Sequence, residues 1–108
     1  MKFWKYIELD DGIGHGYNQK ELPFWEMEIQ GWNDNETFTD LTTLVLVRAV
    51  AAAPEQQADF DITYFPPELK KDLMISKLVQ EAIYHLREAI AAYQTEQLAN
   101  LAHKNSKR

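Results

Sequence analysis

Residues 40–53 read Asp-Leu-Thr-Thr-Leu-Val-Leu-Val-Arg-Ala-Val-Ala-Ala-Ala, and whether they form helix or strand decides what kind of sheet this chain can build. By composition Leu44, Val45, Leu46 and Val47 suit a buried strand, because β-branched side chains pack well on a pleated surface. Ala49 and the run Ala51–Ala53 ahead of Pro54 favour helix, and Thr39 or Asp40 offers a side-chain oxygen to cap it. The propensities together predict a helix over 40–53. Apolar on all sides, it has to be buried.

The flanking segments read as strands. Phe3 to Leu9 is rich in aromatic and β-branched residues and runs into Asp10-Asp11-Gly12, a turn sequence. From Phe24 to Gln30 the chain alternates, with Trp25, Met27 and Ile29 on one face and Phe24, Glu26, Glu28 and Gln30 on the other. Pro23 fits only at the start of that strand, and residues 32–37 are turn formers. Asp59 to Phe65 alternates again, with Phe60, Ile62 and Tyr64 opposite Asp59, Asp61 and Thr63. The predicted order is ββαβα, and a strand–helix–strand crossover makes the second and third strands parallel. The expected class is α+β: a small mixed sheet of roughly three strands against a buried helix and a long C-terminal helix.

All four glycines and all four prolines fall in the first 67 residues, so nothing after Pro67 breaks a helix. Phe65 and Pro66 each precede a proline, Pro67 suits a first helical position, and Glu68 puts negative charge near the helix N-terminus. Apolar residues then recur at Leu69, Leu73, Val79, Ile83, Leu86, Ile90, Tyr93 and Leu101, with Lys77, Glu81, His85 and Glu88 opposite. An unbroken helix from Pro67 to His103 would be about 55 Å long. A compact chain of this size has a radius of gyration of about 13 Å, so the helix is expected to outrun its domain. Apolar residues at Tyr93, Leu98 and Leu101 in the overhang predict a homodimer through this helix. Heptads are lacking, with Gln97 or Asn100 where a seam needs leucine, so an extended coiled coil is not expected.

Charge divides at the same place as the punctuation. Residues 1–66 hold twelve acidic and four basic side chains, net −8, and residues 67–108 hold five and seven, net +2. The whole chain of 108 residues is acidic, at net −6, which argues against nucleic acid or an anionic membrane as a general partner. Its length fits one domain over residues 1–103, with an acidic body through residue 66, the helix from 67 to 103, and a basic tail at 104–108. The absence of cysteine excludes disulfides, thiolate metal sites and cysteine nucleophiles. The opening residues hold no apolar stretch of signal-peptide length, and the longest apolar run, Leu44–Ala53, is interrupted by Arg48 and too short to span a bilayer. A cytoplasmic location is the expectation.

Several constellations invite chemistry, and each has a simpler account. Gly12, Gly14 and Gly16 around His15 could cradle an anion, but no lysine or helix follows and Asp10 and Asp11 would repel phosphate, so a flexible connection is the better reading. Glu81, His85 and Glu88 share a helix face and could ligate a divalent metal, but a solvated face with a charge-assisted Glu81–His85 pair is the better reading. Asn33, Asn35 and Thr37 open like a calcium loop but lack its glycine and closing glutamate. Glu26 and Glu28 are better cross-strand charge partners, with Lys5 opposite, than a catalytic pair on an open strand face. No metal or cofactor is implied.

The functional expectation is a small acidic protein-interaction module without catalysis, acting as adaptor, assembly factor or inhibitor and suited to a basic partner. Its contact residues are expected to be Trp4, Trp25, Trp32, Glu26, Glu28, Asp34 and Glu36, with Tyr93, Leu98 and Leu101 in the dimer. The alternatives are a small hydrolase or isomerase using His15 with Asp10 or Asp11, and a structural subunit of a larger assembly such as a virus particle.

Overall fold

The computed structural model describes residues 4–20, 22–33, 41–50, 59–65 and 67–106, with backbone alone at 4–6, 32–33 and 101–106. Five strands, β1 (Trp4–Leu9), β2 (Gly14–Tyr17), β3 (Pro23–Asn33), β4 (Thr42–Val50) and β5 (Asp59–Tyr64), precede a 3-10 turn (Pro67–Lys71) and one helix, α1 (Leu73–Ser106). The class is α+β. Every strand pairing is antiparallel, with β3, β4 and β5 in a meander and both β1 and β2 on the other edge of β3. The expected mixed sheet and ββαβα order are therefore corrected.

The correction turns on residues 42–50, which are strand β4 and not a helix. Thr43 faces Gln30 and Val45 faces Ile29, so Leu44 is an extra residue bulged out of the ladder. The bulge shifts the side-chain alternation, which is why adjacent Leu44 and Val45 are both buried. Beyond it Val45, Val47 and Ala49 point inward while Leu46, Arg48 and Val50 point away from α1. Four consecutive apolar residues hide this period of two in the sequence. Thr39, Asp40 and Ala51–Ala53 lie outside the described residues.

The glycine-rich segment is also not a loop. Gly14–Tyr17 pairs with β3 from Glu26 to Pro23, in line with β1, which pairs with the C-terminal half of β3. Residues 10–13 stand opposite only Met27 and Glu28, an insertion of two residues that preserves the inward–outward alternation. Asp10 closes it: its backbone N–H donates to the Glu28 carbonyl at 2.8 Å and its Oδ1 accepts from Gly12 N–H at 3.0 Å. The β2–β3 turn is held by Asn18, whose Oδ1 accepts from the N–H groups of Lys20 and Leu22, each at 2.9 Å.

Helix α1 lies across the inner sheet face, chiefly over β3, then β4 and β1. Ile29, Leu44, Val45, Val47, Ile75, Ala82 and Leu86 lose all solvent contact, and each of the larger side chains contributes about 1.5–3 kcal/mol by burial. The helix does not begin at Pro67. Asp72 interrupts the 3-10 turn and caps α1, its Oδ1 accepting from the N–H groups of Met74 at 2.9 Å and Ile75 at 3.1 Å. Leu73 stands about 200° around the helix from Ile75 and so lies outside the buried stripe, at 81% exposure. Tyr93 is the last described residue packed on the core, and the helix continues through 94–106, about 20 Å further. The molecule measures 65 × 25 × 23 Å, with a radius of gyration of 17.3 Å in place of the compact value.

The two sides of α1 should respond differently to truncation. Leu86→Ala is expected to cost about 2–5 kcal/mol in denaturant unfolding, Leu73→Ala less than about 0.5 kcal/mol, and Asp72→Ala about 1 kcal/mol through the lost cap.

Candidate protein-binding face

Register places the outward side chains of the sheet in rows. Gly16, Phe24, Val50 and Asp59 form one row and Gly14, Glu26, Arg48 and Asp61 the next. Glu28, Leu46 and Thr63 follow, then Glu8, Gln30 and Thr43. No described element covers this face, and Phe24, Leu46 and Val50 remain half-exposed on it. Five carboxylates, Glu8, Glu26, Glu28, Asp59 and Asp61, share it with Arg48, and Lys20 lies at its hairpin end.

Arg48 organises the middle of the face. Its Nη2 and Nε donate to Glu26 Oε2 at 2.8 and 3.2 Å, and its guanidinium lies 5.0 Å from the centroid of the Phe24 ring. A Cβ at position 16 would stand 3.1 Å from Phe24 Cζ, and one at position 14 would stand 3.2 Å from Glu26 Cγ. The alternating glycines thus make room for side chains of β3 lying over β2. Beside them Tyr17, Lys20, Leu22, Phe24, Arg48 and Val50 line an open concavity of about 610 Å³ at the hairpin end of the sheet.

Glu26 and Glu28 take the outward positions expected of them, but Lys5 does not stand opposite them in the ladder. It lies between Trp4, opposite Asn33, and Tyr6, opposite Trp32, at the far end of the ladder. Arg48 pairs with Glu26, and Glu28 Oε2 accepts from Gln30 Nε2 at 3.1 Å. Arg48 was hidden because its place across from Glu26 exists only if residues 42–50 are a strand.

Of the tryptophans, Trp25 belongs to the core and not to a binding surface: it is 6% exposed, with its ring edge-on to Tyr93 at 5.2 Å. That contact also draws Tyr93 away from the expected helix seam, leaving Leu98, 45% exposed, as the large apolar side chain described beyond it. The side chains of Trp4, Trp32 and Leu101 lie outside the described residues, as do Asp34, Asn35, Glu36 and Thr37 altogether.

His15 is exposed at the sheet margin and does not line the concavity, while the Asp10 carboxylate is engaged in its own turn. His15 and Asp10 are thus not gathered around that hollow. Glu81 and His85 are exposed and make no ion pair with each other, and the His85 ring meets Tyr84 at 5.8 Å. Among the described residues no group of three or more side chains could hold a metal, and no helix is long and apolar enough to cross a membrane. Comparison with known protein families, curated proteins and solved structures finds no match for the chain.

Among the described residues, Tyr84 has its protonation displaced from the ordinary range. A hydrogen bond to Glu88, reinforced by the carboxylate charge and then by desolvation, raises its phenol above the ordinary value of 10.0. The negative neighbour favours the neutral phenol, so Glu88→Gln should let Tyr84 ionise at lower pH. A tyrosinate absorbance titration unchanged by that substitution would contradict the interaction. Arg48→Ala, which breaks a partly exposed pair, should cost no more than about 1 kcal/mol in thermal or denaturant unfolding.

Proposed function

We propose that the chain is a small acidic protein-interaction module without catalysis, whose open sheet face receives a basic surface of a protein partner. Adaptor, assembly factor and inhibitor are the roles such a module can fill. The observation that carries this reading is the bare face itself, five carboxylates against Arg48 and Lys20 around Phe24, Leu46 and Val50. Apolar side chains without a cover supply contact area, and the surrounding charge steers association and selects for cations. Trp25 has no share in it, so the apolar contribution comes from Phe24, Leu46 and Val50.

Affinity capture on the immobilised full chain, from an extract of its source cells, tests the reading. Basic proteins should be retained at low salt and released at high salt, because exposed charges are screened within a Debye length of about 10 Å at 0.1 M. The Asp59→Lys/Asp61→Lys variant should retain none of them. Empty wild-type beads, or equal retention by the variant, would sink the proposal.

A further inference from the structure

A second exposed surface sets lysines beside large apolar side chains. Phe65, Leu73, Met74 and Tyr84 are 57%, 81%, 58% and 60% exposed, a high proportion for large apolar side chains. Leu73, Lys77 and Tyr84, spaced by four and seven residues, lie on one ridge of α1 turned away from Ile75, Val79, Ala82 and Leu86. Met74 flanks the ridge. Phe65 and the 3-10 turn bring Lys70 and Lys71 to the same end of the molecule, where Phe65 N–H bonds the Leu44 carbonyl at 3.0 Å. Lys70, Lys71 and Lys77 are exposed and have no ion-pair partner among the described residues. Of the acids on and beside the ridge, Asp72 caps α1 and Glu88 is hydrogen-bonded to the Tyr84 phenol, leaving Glu68 and Glu81.

The open sheet face is the complement: apolar Phe24, Leu46 and Val50, with Glu8, Glu28, Asp59 and Asp61 lacking ion-pair partners among the described residues. The two surfaces cannot meet within one chain. The ridge is on the solvent side of the helix layer and the acidic face is on the far side of the sheet layer. We propose that the lysine-flanked ridge of α1 docks on the acidic sheet face of a second copy, so that the chain assembles head to tail.

This contact rests on the reading of the open face as a docking surface and names its occupant. Docking α1 there gives each sheet a helix on both faces, its own and its neighbour's, which covers the apolar positions that the fold leaves bare. Donor and acceptor surfaces differ, so the contact is heterologous and produces a ring or an open filament. Sheet extension offers no competing route. The β5 edge presents Asp59 and Asp61, and the β1–β2 edge is interrupted at residues 10–13.

Sedimentation velocity and light scattering on the full chain, across a dilution series at low and at high salt, test the proposal. Wild type should exceed dimer mass at low salt, grow with concentration, and fall to monomer at high salt. Lys70→Glu/Lys77→Glu and Asp59→Lys/Asp61→Lys should each be monomeric alone at concentrations at least about tenfold above wild-type assembly. An equimolar mixture of the two should assemble again, because both junctions regain opposite charges. Leu73→Asp, at an exposed position, provides a second disruption should a charge variant fail to fold. A wild type that is monomeric at low salt, a closed dimer, or a mixture that stays dispersed would overturn the head-to-tail contact. A monomeric wild type that still captures basic proteins through Asp59 and Asp61 would overturn the self-contact alone and leave the docking reading standing.

Discussion

Burial of one face of β3 beneath α1 is the constraint on which the rest of the structure depends. Trp25, Met27 and Ile29 must all point at the helix, and a slip of one residue would send all three into solvent. Both irregularities in the sheet respect that requirement. The insertion at residues 10–13 adds two residues and preserves the alternation, so Leu9 and Ile13 both pack on the core. The bulge at Leu44 adds one residue and breaks it, placing two neighbouring side chains in the core where β4 begins. Satisfying the inner face fixes the outer one, because whatever lies between the inward residues must face away from α1.

The sequence is legible where polar and apolar residues alternate on an unbroken strand. Glu26 and Glu28 announce the wet side of residues 24–30, and Asp59 and Asp61 do the same for β5. Residues 44–47 announce nothing, since Leu46 is apolar although it faces outward, and a pattern without contrast has no period to read. The alanine run then tips local propensity toward helix, and long-range pairing with β3 and β5 overrides it. Gly14 and Gly16 mislead for a related reason. Glycine at alternate positions resembles a loop, but here it records the approach of Phe24 and Glu26 from the next strand, information that lies on residues eight and twelve positions away.

The candidate face shows the same limit. Its charge is readable from the count over residues 1–66, but its composition depends on register. Arg48 reaches Glu26 across a pairing that a helix at 40–53 would forbid, and Trp25, the most conspicuous aromatic candidate, is consumed by the core. Leu73 is expected in the buried stripe of a helix starting at Pro67, yet it stands about 200° around α1 from Ile75. Once Asp72 caps α1, Ile75 becomes the first fully buried residue of the helix and Leu73 is left on the opposite ridge.

A two-layer fold leaves a sheet with one dry face and one open face, and partners can approach such a sheet by its edge or by its face. Edge pairing needs a row of regularly spaced, accessible backbone groups. Here β1 and β2 are offset by the insertion that Asp10 closes, and β5 is six residues long with carboxylates at two of its three outward positions. Face-on contact meets none of these obstacles. It finds Phe24 held flat between Gly16 and Arg48, with Leu46 and Val50 beside it. A cationic ligand gains from Glu28, Asp59 and Asp61 without having to displace Arg48, whose charge is already matched by Glu26. The pair at the centre therefore lowers the desolvation cost of the face while leaving the carboxylates around it free to choose the sign of the partner.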